Sequence, residues 1–218
     1  MKIIVDENIE FGAEAFQQFG EVKLSHGRKI TNEMLKDVEI LVVRSITNVN
    51  EELLKNTAVK FVGTTTIGTD HLDKDYMESK KIQYASATGC NSFAVAEYVL
   101  TSIVKIAHEN NFDLTNKTFG VIGYGNIGKK ITKFAEAVGL KTYVNDPPLQ
   151  REGYEYDFCS LDEALNSDII TFHVPLNKDG VDKTFHLIDE QRINELKPGT
   201  ILINTSRGGV VDLSLIHI

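Results

Sequence analysis

The chain has 218 residues, 42% hydrophobic and 25% charged, which are ordinary proportions for a soluble globular protein. Lys and Arg total 23 against 31 Asp and Glu, a formal charge of −8, so no global positive field favours a nucleic-acid or anionic-membrane partner. The two cysteines, Cys90 and Cys159, lie far apart without metal or disulfide-framework spacing, no apolar run nears the ~18 residues of a bilayer span, and the N-terminus lacks signal-peptide character, so a reduced cytoplasm is the expected location.

In chain order, short apolar or β-branched runs at 3–5, 22–24, 40–43, 61–62 and 82–85 predict strands. Helical spacing at 13–19, 51–55 and 72–80 falls between them. Strands alternating with helices predict right-handed crossovers and a parallel sheet. An Ala-rich apolar stretch over 91–107 predicts a buried helix, with Asn91 or Ser92 able to cap its first amides. A second alternation follows: strand 118–122, helix 127–138, strand 141–144, helix 161–164, strand 169–172, helix 189–196 and strand 201–203. The fold class is therefore α/β, with two doubly wound units in series and their boundary inside the 91–107 helix.

Gly123, Gly125 and Gly128 stand in GxGxxG spacing where the 118–122 strand gives way to a helix. The first glycine permits the tight turn, the second admits a pyrophosphate to the backbone, and the third lets helix and strand approach. Free amides at the positive helix end would receive the phosphates. Asp146 follows Gly128 by eighteen residues, at the end of the next strand, where a carboxylate bonds ribose hydroxyls and repels a 2′-phosphate. NAD is thereby favoured over NADP.

Open α/β sheets bind ligands beyond the carboxyl ends of their strands. That rule selects Arg44 and Ser45 after the third strand, Gly63 to Thr66 after the fourth, and Asn204 to Gly209 after the last. Ser45 and Thr66 equally suit turn capping, and Arg44 suits a solvated charge. Arg207, flanked by glycines, suits paired hydrogen bonds to a carboxylate. His71 reads as a turn or helix-start residue, and His173 as either a cleft-lining or a structural group. No Ser-His-Asp, Cys-His or metal-ligand pattern emerges from the remaining histidines.

The glycine loop and the segment 206–212 (SRGGVVD), with 5–8, 43–50, 61–71, 89–91, 145–148 and 175–180, make the chain resemble the D-2-hydroxyacid dehydrogenases over essentially its whole length. The resemblance implies a flavodoxin-like substrate domain over 1–95, an incomplete Rossmann NAD-binding domain over 96–212, and a non-native tail over 213–218. It implies NAD-dependent oxidation of a small phosphorylated 2-hydroxy acid. Ser45 and Thr66 would contact substrate, and Arg207 would bind its carboxylate and C2 oxygen as the catalytic residue. Asn126, Ile127, Asp146, Val174, Thr205 and Ser206 would contact the cofactor beside the glycines, although Val174 stands where relatives often carry a hydroxyl. The family's acid–base His and Glu fall beyond the Arg207 motif, so the chain as it stands is expected to be inactive. A homodimer is implied when full length. Rival readings are another D-2-hydroxy acid as substrate, such as 3-phosphoglycerate, or a non-catalytic NAD(H) sensor.

Overall fold

The computed structural model describes residues 1–216; His217 and Ile218, the last two of the expected non-native tail, lie outside the described residues. The chain divides into two compact units, Met1–Cys90 and Asn91–Ile218. The division falls at the start of the long helix, five residues before the 95/96 boundary read from the sequence.

In the first unit the elements run β1 (Lys2–Asp6), α1 (Gly12–Phe16), β2 (Glu21–Ser25), β3 (Ile40–Val43), α2 (Glu51–Leu54), β4 (Phe61–Thr64), α3 (Lys74–Ser79) and β5 (Gln83–Ser86). All five strands are parallel in the order β2-β1-β3-β4-β5, the flavodoxin-like arrangement. Strand alternation divides the core between the two sheet faces. Ile4, Leu41, Val43 and Val62 pack with Leu53, Leu54 and Met77 on one face. Ile3, Val5 and Val42 pack with Ile9 and Phe16 on the other. The helix expected over 13–19 stops at Phe16, and Asn50 and Asp73 cap α2 and α3 with their side chains. Two 3-10 turns, Gly27–Lys29 and Asn32–Leu35, occupy a stretch in which the periodicity predicts no element.

In the second unit α4 (Ser92–Glu109) leads into β6 (Thr118–Ile122), α5 (Gly128–Ala137), β7 (Lys141–Asn145), α6 (Pro147–Arg151), α7 (Leu161–Leu165), β8 (Ile169–Phe172), α8 (Glu190–Glu195) and β9 (Ile201–Asn204). Its parallel sheet has the order β7-β6-β8-β9. Val121 and Ile169 face the cluster formed by α4 and α5, whereas Ile122 and Ile170 face that of α7. All four residues of β8 are buried, so this strand reads as a run of apolar and β-branched residues without polar alternation. The sequence suggests Asn91 or Ser92 as a cap for α4, and Ser92 is already the first residue of the helix. Asn91 occupies the cap position, but its backbone turns away from the extended conformation that aims a capping side chain, and the side chain makes no cap hydrogen bond. A capping box of Ser160 and Glu163 starts α7.

Among the described residues no helix is long and apolar enough to cross a membrane, and no group of His, Cys, Asp and Glu could hold a metal. Cys90 and Cys159 are free thiols.

Candidate functional site

The chain turns to opposite sides of β6 to make β7 and then β8, so the strand order reverses there and opens a crevice beyond the carboxyl ends. Gly123 turns the chain out of β6 with φ +95°, and a Cβ there would lie 2.6 Å from the His173 carbonyl oxygen. A Cβ on Gly128 would lie 2.0 Å from the Gly123 carbonyl oxygen, so only glycine lets α5 start so close to the strand. Gly125 differs: a Cβ there would meet nothing within 4 Å, which leaves an open approach to the backbone. Asn126 is exposed, and Ile127 stands at the N-cap of α5 without a side-chain cap.

Asp146, the residue after β7, is fixed by two backbone donors. Its Oδ2 accepts from the Tyr124 N–H at 2.7 Å, and its Oδ1 accepts from the Leu149 N–H at 3.0 Å as the N-cap of α6. Each oxygen keeps a lone pair for a further donor. The sequence reading missed α6, although Asp at N-cap with proline at N1 announces such a helix.

Tyr124 is fixed in turn by an aromatic box that periodicity does not reveal. Its ring lies 4.3 Å from that of Tyr156 and 5.7 Å from that of Phe158, with Tyr154 at 6.1 Å. Burial first, and the neighbouring tyrosines second, push the Tyr124 hydroxyl up to about 12. The Lys129 ammonium lies 4.2 Å from the centre of the Tyr154 ring.

A cavity of about 530 Å³ extends from this cradle and is lined by Gly123, Gly125, Asp146, His173 and Val174, among others. Its far wall is the segment after β8. That segment is braced where the Asn177 N–H donates to Thr184 Oγ1 and the Asn177 side chain donates to the Asp182 carbonyl. Thr205, Ser206 and Arg207 lie off this lining, on the loop after β9. There Asn204 Oδ1 accepts from the N–H and the hydroxyl of Ser206, and Asn204 Nδ2 donates to the Arg207 carbonyl. Val174 brings no hydrogen-bonding side chain to the cavity.

The unit holding the other candidates has its own strand-order reversal, between β1 and β3. Asp6, fully buried at the end of β1, receives Arg44 Nε at 3.2 Å from the end of β3. Burial pushes the Asp6 carboxyl up, but the Asn8 bonds and the guanidinium outweigh burial and hold it below its usual value. Arg44, expected as a solvated charge, is instead one-third exposed and paired with a buried carboxylate. Ser45 beside it is exposed. Thr66 Oγ1 lies 2.8 Å from Thr64 Oγ1, which in turn hydrogen-bonds His71 Nε2 at 3.1 Å, so His71 braces the turn that carries Thr66.

Among the described residues one histidine–carboxylate pair occurs near the cavity, His186 and Asp212, with Nδ1 and Oδ2 3.6 Å apart. That spacing exceeds a hydrogen bond, and Asp212 already accepts from the N–H and hydroxyl of Ser214. The pair therefore lacks the oriented hydrogen bond of an acid–base dyad.

Residues 91–217 match the D-isomer specific 2-hydroxyacid dehydrogenase family, NAD binding domain. The erythronate-4-phosphate dehydrogenases of Escherichia fergusonii and Klebsiella pneumoniae are each 49% identical over 213 residues, 97% of this chain and 56% of theirs. The chain thus spans about half the length of these relatives. Among solved structures, 3-phosphoglycerate dehydrogenase of Entamoeba histolytica with bound NAD+ aligns with TM-score 0.79 and 26% identity, over 98% of this chain and 74% of that one. D-Lactate dehydrogenase of Aquifex aeolicus, complexed with NAD and lactic acid, aligns with TM-score 0.75 and 31% identity, over 98% and 71% respectively.

Proposed function

This chain belongs to the D-isomer specific 2-hydroxyacid dehydrogenase family, and from that premise we propose that it is the substrate-domain and NAD-binding portion of an erythronate-4-phosphate dehydrogenase of pyridoxal phosphate biosynthesis. The observation that carries the cofactor half is the cradle itself: Gly123 and Gly128 admit no side chain, Gly125 stands open, and the Asp146 carboxylate is locked beside them. The substrate assignment is supported by 49% identity to relatives bearing that name over 97% of the chain.

NAD, when bound, supplies the acceptor for the hydride that leaves C2 of 4-phospho-D-erythronate. Around it, the amides of Gly125, Asn126 and Ile127 at the start of α5 would bind the pyrophosphate, and Asp146 would accept from the ribose hydroxyls. A 2′-phosphate would meet a carboxylate that cannot swing away, because both of its oxygens are tied to backbone N–H groups. Val174 would cover the adenosine half through apolar contact. Thr205 and Ser206 would stand beside the nicotinamide, and Arg207 would pair with the substrate carboxylate and C2 oxygen. Ser45 and Thr66 would bind the rest of the acid, with Thr66 aimed by the Thr64–His71 pair. None of the described histidines offers an oriented base, so the proton of the C2 hydroxyl would pass to a group from chain beyond Asp212, which the longer relatives have room to supply.

The outward side of α4 supports a homodimer, since Phe93, Tyr98 and Val104 are 54%, 64% and 49% exposed along it. The two free thiols and the metabolic substrate fit the cytoplasm.

In a chain extended to the relatives' length, NADH formation with 4-phospho-D-erythronate and with 3-phospho-D-glycerate is the deciding measurement. A kcat/KM at least tenfold higher for the four-carbon acid is expected; the reverse ratio would assign the protein to the other substrate.

A further inference from the structure

His173 is a partly buried titratable group at the cavity wall with no part in the binding or proton transfer set out for the dinucleotide and its substrate. It follows β8, the second strand of the crevice. Its Nε2 lies 3.0 Å from Oγ1 of the fully buried Thr171, and its Nδ1 lies 3.2 Å from Oγ1 of Thr205. Its backbone N–H donates to the Ile122 carbonyl at 2.7 Å, and its own carbonyl oxygen occupies the space that a Gly123 side chain would need. One residue therefore touches both loops of the crevice, the glycine loop through its main chain and the loop after β9 through its ring.

We propose that His173 is a positioning residue that sets the nicotinamide end of the dinucleotide groove by holding Thr205, and with it Ser206 and Arg207. This inference rests on the dinucleotide-binding reading. The direction of the groove follows from the sheet. Asp146 marks the ribose acid at the end of β7, on one side of β6, so a dinucleotide whose pyrophosphate sits at the glycine loop extends its other half over β8 and β9. Thr205 is the first residue after β9, and its neighbour Asn204 folds the loop back on itself with three hydrogen bonds to Ser206 and Arg207. A shift of Thr205 would carry that whole loop.

The ring is suited to bracing and unsuited to proton transfer. Burial pushes its pKa down to about 4, so it is neutral at ordinary pH. A neutral imidazole has one donor and one acceptor, and the two threonine hydroxyls use both. The adenosine half would stand on Asp146 after β7, whereas the bridge ties the end of β8 to the loop after β9.

The chain contains no tryptophan, so bound NADH, excited in its own absorption band, reports the surroundings of the nicotinamide without tryptophan emission beneath it. We would titrate the 218-residue chain with NADH, then displace it with ADP-ribose, in the wild type, His173→Ala, Thr205→Val and Thr205→Ser. In His173→Ala and Thr205→Val, NADH affinity is expected to fall about threefold to tenfold with loss of the nicotinamide emission change, while ADP-ribose affinity stays within about twofold. Thr205→Ser, which keeps the hydroxyl that the ring holds, should recover most of the NADH affinity lost in Thr205→Val. Should His173→Ala fail to fold, the same titration of Thr171→Val decides, because it removes the ring's other partner at a fully buried residue that has no place among the cofactor contacts. Parallel losses of NADH and ADP-ribose, or no loss of either, would overturn the positioning role and leave dinucleotide binding intact. A wild-type chain that binds neither ligand would overturn the dinucleotide reading and this inference with it.

Discussion

The Asp146 carboxylate accepts a 2.7 Å hydrogen bond from the Tyr124 N–H, which joins the acid after β7 to the glycine loop after β6 as one rigid piece. The same carboxylate starts α6. Its position is therefore set before any ligand arrives, which lowers the ordering cost of binding.

Replacing Asp146 by Asn should weaken NAD binding roughly tenfold to a hundredfold, the worth of one or two charge-assisted hydrogen bonds. Titration calorimetry with NAD+ and NADP+ should show the preference for NAD+ narrowing as well, because the repulsive charge is gone. An unchanged ratio would remove Asp146 from cofactor selection.

The three glycines of the loop should separate stability from binding. Gly128→Ala drives a methyl into the Gly123 carbonyl and should cost about 3 kcal/mol or more, seen as a lowered urea midpoint. Gly125→Ala meets open space, so the urea midpoint should hardly move while NAD affinity falls at least tenfold. Equal destabilisation by both substitutions would contradict the close approach at Gly128.

Stability should decline as pH falls from about 6.5 to 4, because the unfolded chain protonates His173 in that range and the folded chain does not. The folded pKa is the lower one, so His173 costs nothing above pH 6.5 and up to about 3 kcal/mol near pH 4. Below that, Asp168 adds to the loss. Its carboxyl is held low by the Thr118 N–H and hydroxyl, and protonation forfeits both bonds. Urea titrations at pH 7.5, 6.0 and 4.5 should follow this slope in the wild type, and His173→Gln should flatten its upper part.

Arg44→Met should destabilise the protein by about 1–3 kcal/mol, since Asp6 stays fully buried while losing its cation. The one-third exposure of Arg44 keeps the figure at the lower end for such pairs. Asp6→Asn in the Arg44→Met background should recover part of the loss. A strictly additive pair of substitutions would mean that the two groups do not interact.

The amino-acid order alone determined the alternation of strands and helices, the two parallel sheets, the glycine loop, and the acid eighteen residues beyond it. Each of these is written in near-neighbour pattern: a period of two or 3.6, a turn that only glycine can make, or a fixed count along one strand and helix. Periodicity is silent on short polar elements, which is why α6 and the 3-10 turns after β2 escaped it. Only the tertiary structure decided that Asp6 pairs with Arg44, 38 residues away, that the aromatic box steadies Tyr124, and that His173 reaches Thr205, 32 residues on. The first and last of those contacts form at the ends of strands that are neighbours in a sheet and strangers in the chain, and the box joins the glycine loop to the segment between α6 and α7. Their partners are fixed by strand order, which arises from the packing of whole faces and leaves no local trace.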